Sequence, residues 1–292
     1  MQFNLTRIAP TPSGFLHLGN AFSFLKTKAL AEKHGAKIFL RIDDLDRERF
    51  RPEYVQDIVD TLDFLEIKID LGPKNLQEFE NEWSQLHRMA RYTEALHRLE
   101  TSKKLFACDC SRKKIQQLDP SGYYLGQCVE RRLALDKPEI TWRSDTSESD
   151  FIHYLEYPDQ QKSGLIQQDS MFYMVRKKDG LPSYHVTSLV DDLHFGVDLI
   201  VRGNDLFPST LAQLDLARNL GEEKFKQITF HHHPLIKGPN QEKLSKSAGS
   251  TAIQSLRKEG KKLQDIFEIL GKCMGQEAPF NSFEDFKSVQ KI

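Results

Sequence analysis

The sequence has no stretch of the roughly 18 consecutive apolar residues that a transmembrane helix requires, and its mean hydropathy is −0.54. Its N-terminus has no basic segment leading into an apolar core, the pattern of a secretory signal, so the expectation is a cytoplasmic protein without a membrane partner. Charge of one sign is missing as well. The 41 Lys and Arg nearly balance the 42 Asp and Glu, leaving a formal net charge of −1. Nothing in that total draws the chain to nucleic acid, and such a partner would need a local basic surface. Cysteine is scarce, with four in 292 residues, and a cytosolic chain of this length neither needs nor keeps disulfides. Internal repeats and low-complexity tracts are also absent. The length allows one large domain with an insertion, or two domains.

The most informative stretch runs from Arg7 to Asn20. Phe3, Leu5 and Ile8 read as a strand. Pro10, Pro12 and Gly14 then forbid regular structure, and Leu18, Phe22, Leu25, Ala29 and Leu30 recur at helical spacing. This strand, tight loop and helix place His17 and Gly19 in the first helical turn, where backbone N–H groups and the positive dipole end favour phosphate. A glycine there lets a ligand approach the backbone closely. Lys37–Ile42 reads as a buried strand, and the connection implies parallel pairing. Ligands of open α/β sheets bind beyond the carboxyl ends of strands, which makes Asp43, first off this strand, a candidate ligand. Asp46 to Arg49 read as a solvated charge cluster.

Pro52 opens a helix with Val55, Ile58, Leu62 and Leu65 inward. A longer helical stretch follows to about Leu99, with Leu86, Met89, Leu96 and Leu99 expected inward. Cys108, Cys110 and Cys128 fall within a short span. They read equally well as packed thiols or as zinc ligands, with Tyr124, Tyr123 or Asp109 open as a fourth ligand. Residues 130–165 are polar and form a plausible inserted subdomain, with Ser144 to Asp150 as a surface loop. Ser170–Val175 and Val197–Arg202 read as strands. Arg202, leaving its strand into a glycine turn, suits a bidentate grip on a carboxylate or phosphate. Ser209–Leu220 reads as a helix ended by Gly221. The histidines His231, His232 and His233 alternate faces of a strand and are structural. Lys243-Leu-Ser-Lys-Ser247 offers ammonium and hydroxyl donors to a phosphate chain. Leu263, Ile266, Phe267 and Leu270 form a helical patch near the end.

His17-Leu-Gly-Asn20 and Lys243-Leu-Ser-Lys-Ser247 together resemble the paired "HIGH" and "KMSKS" signatures of class I aminoacyl-tRNA synthetases. Arg7-Ile-Ala-Pro-Thr-Pro-Ser-Gly14, Leu40-Arg-Ile-Asp-Asp-Leu-Asp46 and Val201-Arg-Gly-Asn-Asp205 resemble the glutamyl branch of that class. Only Ala248 to Ile292 follow the second signature, which is similar to the truncated paralogues of this branch that modify tRNA(Asp). The alternatives are a conventional glutamyl enzyme charging a tRNA 3′ end and a non-catalytic RNA-binding paralogue.

The resemblance implies an α/β fold: a Rossmann-like nucleotide-binding parallel sheet, an inserted zinc-containing subdomain and a short helical C-terminal segment. The expected boundaries are 1–104 and 169–250 for the two catalytic halves, 105–168 for the insert and 251–292 for the last segment. It also implies ATP-dependent activation of L-glutamate and its transfer to the queuosine base of tRNA(Asp), by a monomer. His17 and Lys246 would be catalytic. ATP would meet Pro10, His17, Gly19, Asn20, Lys243, Ser245 and Lys246, with Mg²⁺ accompanying it. Arg7 and Arg202 would hold the glutamate side chain, Asp43 and Tyr184 its α-ammonium, and Ala9 and Thr11 would line the pocket. The family usually has Glu where Asp43 stands. One structural zinc per chain would be bound by Cys108, Cys110, Tyr124 and Cys128.

Overall fold

The computed structural model describes residues 1–102, 104–147, 149–236, 252–276 and 280–290. In chain order the first elements are β1 (Leu5–Ile8), α1 (Leu18–His34), β2 (Lys37–Leu40), α2 (Pro52–Phe64), the single turn α3 (Leu76–Glu78), α4 (Met89–Thr101), β3 (Leu105–Cys108) and α5 (Arg112–Leu118). Then come β4 (Thr141–Ser144), β5 (Ile152–Glu156), β6 (Gln160–Gly164), β7 (Met174–Arg176), α6 (Tyr184–Phe195), β8 (Leu199–Gly203), α7 (Phe207–Leu220) and β9 (Thr229–His233). Three short helices close the chain: α8 (Ile253–Lys258), α9 (Leu263–Cys273) and α10 (Phe283–Val289).

The chain folds as two compact units. The first comprises Met1–His87, Asp198–Asn204 and His231–Ile292; the second comprises Arg88–Val197 and Asp205–Phe230. These limits fall elsewhere than the segments read from the sequence, because β8 and the last helices pack with the N-terminal strands. In the first unit β1 lies between β2 and β8 and is parallel to both, as the strand–helix–strand reading expects. β1 is buried throughout, as a central parallel strand must be. Gly35 ends α1 in the left-handed conformation, φ 69°, which glycine adopts without steric cost. Phe22 and Leu25 of α1 share one core with Ile58 and Leu62 of α2 and with Ile266, Phe267, Leu270 and Phe286 of the C-terminal helices. The last segment is therefore built into the core of the first unit. His233 is buried there, its Nε2 3.0 Å from Ser23 Oγ.

The helical stretch before Leu99 is interrupted. A π-helical turn spans Phe79–Trp83 and a 3₁₀ turn spans Gln85–Arg88, so the apolar phase shifts. Phe79 is buried, whereas Leu86, expected inward, is 45% exposed. In the second unit β3, β4 and β7 form an antiparallel sheet, and β5 pairs with β6 and with Thr229–Phe230. Ser144 belongs to β4 and is buried; the surface loop begins after it. Ser170–Phe172 form a turn, and β7 starts only at Met174. The buried group Arg88, Tyr92 and Asp191 joins α4 to α6, with Arg88 Nε 2.8 Å and the Tyr92 hydroxyl 2.8 Å from Asp191 Oδ1. No described helix is long and apolar enough to cross a membrane.

Candidate active site

The parallel register decides which side chains share a face. Arg7 pairs with Phe39 of β2, and Thr6 pairs with Leu199 of β8. Side chains alternate with a period of two, so Arg7, Arg202 and Arg41 emerge on one face, near the carboxyl edge of the sheet. All three are buried, at 4%, 2% and 1% exposure. Arg7 Nη1 donates to Val201 O at 3.1 Å, which ties the end of β1 to β8. Guanidiniums on one face of a parallel sheet, near its carboxyl edge, are of the chemical kind that grips a carboxylate.

Asp43 follows β2, and its backbone N–H donates to Pro10 O at 3.0 Å. The loop after β1 is thereby fastened to the strand beside it. The Asp43 carboxylate is 6% exposed and accepts from Arg41 Nε at 2.7 Å and Nη2 at 3.1 Å. Gln85 Nε2 adds a contact of 3.3 Å. The next acid, Asp44, accepts from Ser84 Oγ at 2.6 Å and Gln85 N at 2.8 Å, which holds Gln85 against Asp43. Sequence reading missed Arg41 and Gln85. A charge inside the apolar run Ile38-Phe-Leu-Arg-Ile42 was a signal for Arg41. Gln85 carries none, because its contacts lie about 40 residues away in the chain.

His17 caps α1. Its Nδ1 accepts from Gly19 N–H at 3.1 Å, and its own N–H donates to Asn20 Oδ1 at 3.0 Å. With Nδ1 accepting, the ring proton sits on Nε2, which is a donor. The amides of Asn20 and Ala21 are also engaged, by His17 O at 2.9 and 3.1 Å. The first turn thus spends the amides of residues 19–21 internally, and the donor it presents is the imidazole. Gly19 has a reason besides close ligand approach: a Cβ there would lie 2.9 Å from His17 Cε1. Gly19→Ala is expected to push the imidazole off its cap. The lost cap, about 1 kcal/mol, is partly offset by the better helix propensity of alanine. A melting temperature changed by only a few degrees, with ATP–pyrophosphate exchange reduced about 10- to 100-fold, is the outcome expected from calorimetry and kinetics.

Ala252 forms an antiparallel bridge with His17, and Ile253 N–H donates to Leu16 O at 2.8 Å. Lys243, Ser245 and Lys246 lie outside the described residues. Pro10 is buried, Ala9 half-buried and Thr11 exposed on the loop between β1 and α1. Tyr184 belongs to the second unit, where it opens α6 and is 38% exposed.

The second unit contains the cysteine cluster. Cys108, Cys110 and Cys128 are all buried and unoxidised, and their three sulfurs lie within 4.8 Å of one another. Cys110 and Cys128 sulfurs are 3.6 Å apart. Tetrahedral zinc with bonds of about 2.3 Å separates its sulfurs by about 3.8 Å, so the donor set fits. Tyr124 is buried under Phe106 and Phe172, with the Arg143 guanidinium 4.0 Å above its ring. Its hydroxyl accepts from Cys128 N–H at 2.9 Å and is within hydrogen-bond reach of Cys108. Gly126 is needed in this wall, because a Cβ there would meet the Phe172 ring at 2.6 Å. The other fourth-ligand options fare worse: Tyr123 is 46% exposed, and Arg131 occupies the Asp109 carboxylate at 2.6 and 2.8 Å. Burial pushes the Cys110 thiol up to about 12. Burial acts on Cys128 too, but hydrogen bonds from Tyr124, Cys110 and Arg131 outweigh it and lower its pKa. Among the described residues this is the one cluster of His, Cys, Asp and Glu with metal-ligand spacing.

Comparison with known proteins places the chain in a family. Residues 5–286 match the family of class I tRNA synthetases (E and Q), catalytic domain. The chain is 31% identical to the glutamyl-Q tRNA(Asp) synthetase of Rhodobacter capsulatus over 91% of its own length and 99% of that protein. It is 29% identical to glutamate–tRNA ligase 1 of Nitrosococcus oceani over 87% of its length, and spans 53% of that protein. A solved glutamate–tRNA synthetase from Elizabethkingia anophelis superposes with a TM-score of 0.70 at 23% identity, covering 85% of this chain and 54% of the other. With a Rossmann-like parallel sheet, a capped histidine signature and a family match along nearly its whole length, the chain belongs to the class I tRNA synthetases of the glutamate and glutamine branch.

Proposed function

We propose that the chain activates L-glutamate with ATP and transfers the glutamyl group to the queuosine base in the anticodon of tRNA(Asp). The observation that carries this reading is the pair of buried guanidiniums, Arg7 and Arg202, on one face of the sheet. They select an acid over an amide. Asp43 and Tyr184 would hold the α-ammonium, with Ala9 and Thr11 along the pocket. The α-carboxylate attacks the α-phosphorus of ATP, forming the mixed anhydride and releasing pyrophosphate. A hydroxyl of the queuosine cyclopentene diol then attacks the acyl carbon, and AMP leaves. The protein's part in such a displacement is positioning and charge stabilisation. The His17 Nε2 proton would be donated to a phosphate oxygen, and Lys246 would neutralise triphosphate charge, helped by Lys243 and Ser245. Pro10, Gly19 and Asn20 shape the nucleotide side, and Mg²⁺ accompanies ATP.

Cys108, Cys110, Tyr124 and Cys128 would hold zinc. When bound it cross-links β3 to the segment around Cys128 and has no part in the chemistry. The protein would act as a cytoplasmic monomer.

Support for queuosine as the acceptor comes from the similarity to the Rhodobacter enzyme over nearly both lengths. The match to glutamate–tRNA ligases favours a second reading, charging of a tRNA 3′ end. One set of assays separates them. Glutamate-dependent ATP–pyrophosphate exchange is expected without tRNA. Labelled glutamate is expected to transfer to queuosine-containing tRNA(Asp), and neither to its periodate-treated or queuosine-free form nor to tRNA(Glu). Labelling of tRNA(Glu) would sink the queuosine reading. Absence of both exchange and transfer would leave an RNA-binding paralogue.

A further inference from the structure

Leu16, the residue before the signature histidine, has both of its backbone polar groups captured from far along the chain. Its C=O accepts from Ile253 N–H at 2.8 Å. Its N–H donates to Asp57 Oδ2 at 2.9 Å. Asp57 lies on α2 and is 2% exposed, and its other oxygen accepts from Arg257 Nη2 at 3.0 Å. Arg257 belongs to α8, the helix that Ile253 begins, and its Nη1 lies 3.3 Å from Asp60 Oδ2. The contacts form a closed circuit: Leu16 to Asp57, Asp57 to Arg257, and α8 back to Leu16. Burial pushes the Asp57 carboxyl above its ordinary pKa, opposed by the Leu16 amide and by Arg257. A carboxylate kept in so dry a place fixes direction as well as distance, since both of its oxygens are committed.

We infer that Asp57, oriented by Arg257, is a positioning residue for His17 in adenylate formation. This rests on the reading of His17 as the phosphate-binding donor. The imidazole is aimed by its cap on Gly19; Asp57 holds the amide of Leu16, the residue before His17, and Ile253 holds the carbonyl of the same residue. A displacement of Leu16 is passed directly to His17, and a shift of about 1 Å at a reacting group costs about 100-fold in rate. Asp57→Asn is the discriminating change. Leu16 N–H and Arg257 Nη2 donate to different oxygens of Asp57, so in the amide one of these two donors would face an NH₂ group, itself a donor.

The test uses the full chain with Asp57→Asn, and with Arg257→Met and Arg257→Lys as a second pair that leaves the carboxylate in place. Exchange kcat is expected to fall about 10- to 100-fold in Asp57→Asn and Arg257→Met, with the glutamate KM unchanged and partial recovery in Arg257→Lys. Long-range ¹⁵N–¹H NMR is expected to find the His17 ring in the Nε2–H tautomer in the parent and in a tautomer mixture in Asp57→Asn. An unchanged kcat with an unchanged His17 tautomer would overturn the inference. So would a loss that tracks the folded fraction and disturbs the glutamate KM equally, which is the mark of a merely structural ion pair. If the parent shows no exchange, the adenylate reading fails by itself, and the tautomer comparison still decides whether Asp57 positions His17.

Discussion

Arg202→Leu is expected to reduce kcat/KM for glutamate in ATP–pyrophosphate exchange by at least about 1000-fold, equivalent to ~4 kcal/mol, the range for removing one partner of a buried charge pair. The loss should appear first as glutamate that no longer saturates. Arg7 remains, but a single guanidinium already donating to Val201 O cannot supply the second fork. Stability is the control. Arg202 is 2% exposed, and removing one member of a buried charged contact costs stability. A thermal melt that stays above the assay temperature while activity vanishes would therefore locate the defect in recognition rather than folding. Arg202→Lys keeps the charge and loses the planar fork, and should fall between the parent and the leucine variant. Full glutamate-dependent exchange in Arg202→Leu would move the carboxylate grip to other residues.

This prediction could be written from the sequence alone, and the reason is local. Strand, loop and cap carry their signals within a few residues, so β1, α1 and β2, the turn at Gly35 and the capping position of His17 were all legible. Register then added what spacing could not: that Arg7, Arg41 and Arg202 share a face. Illegible features were those held together over long separations. Asp57 and Arg257 lie 200 residues apart, and neither stands in a motif. β6 is the polar run Gln-Gln-Lys-Ser-Gly. It owes its extended form to pairing with β5, whose buried Ile152, Tyr154 and Glu156 alternate with more exposed neighbours. The inward reading of Leu86 failed because a π-helical and a 3₁₀ turn break the helix around it, whereas Leu96 and Leu99, on the regular helix α4, are buried. At Gly19 the structure adds a second reason for glycine, since a Cβ there would meet the ring of His17.

The cysteine cluster was half legible, and its proposed zinc carries the second large expected effect. Spacing raised zinc, and the fold brings three sulfurs together in a core of only Ile115, Tyr124, Phe106 and Phe172 besides the cysteines. So small a cluster buries little apolar area, so a metal cross-link would contribute much of the local stability there. Elemental analysis of the purified chain is expected to find one zinc, and Cys110→Ser to abolish it. Structural zinc contributes about 10–16 kcal/mol of apparent binding energy in small domains, comparable with the whole net stability of a typical fold. Chelation should therefore loosen β3, β4 and the segment around Cys128 in the second unit. Trp142 of β4 reports on this directly: its Nε1 donates to Leu135 O at 2.8 Å, and the Arg176 guanidinium lies 4.8 Å over its ring. With Trp83, the other tryptophan of the chain, replaced by Phe, chelator should red-shift the remaining emission. Zinc should restore it and magnesium should not, because thiolates select the softer ion. A metal-free preparation with the same emission and melting temperature would reduce the three cysteines to packed thiols, and Tyr124 to a hydroxyl that only caps the Cys128 amide.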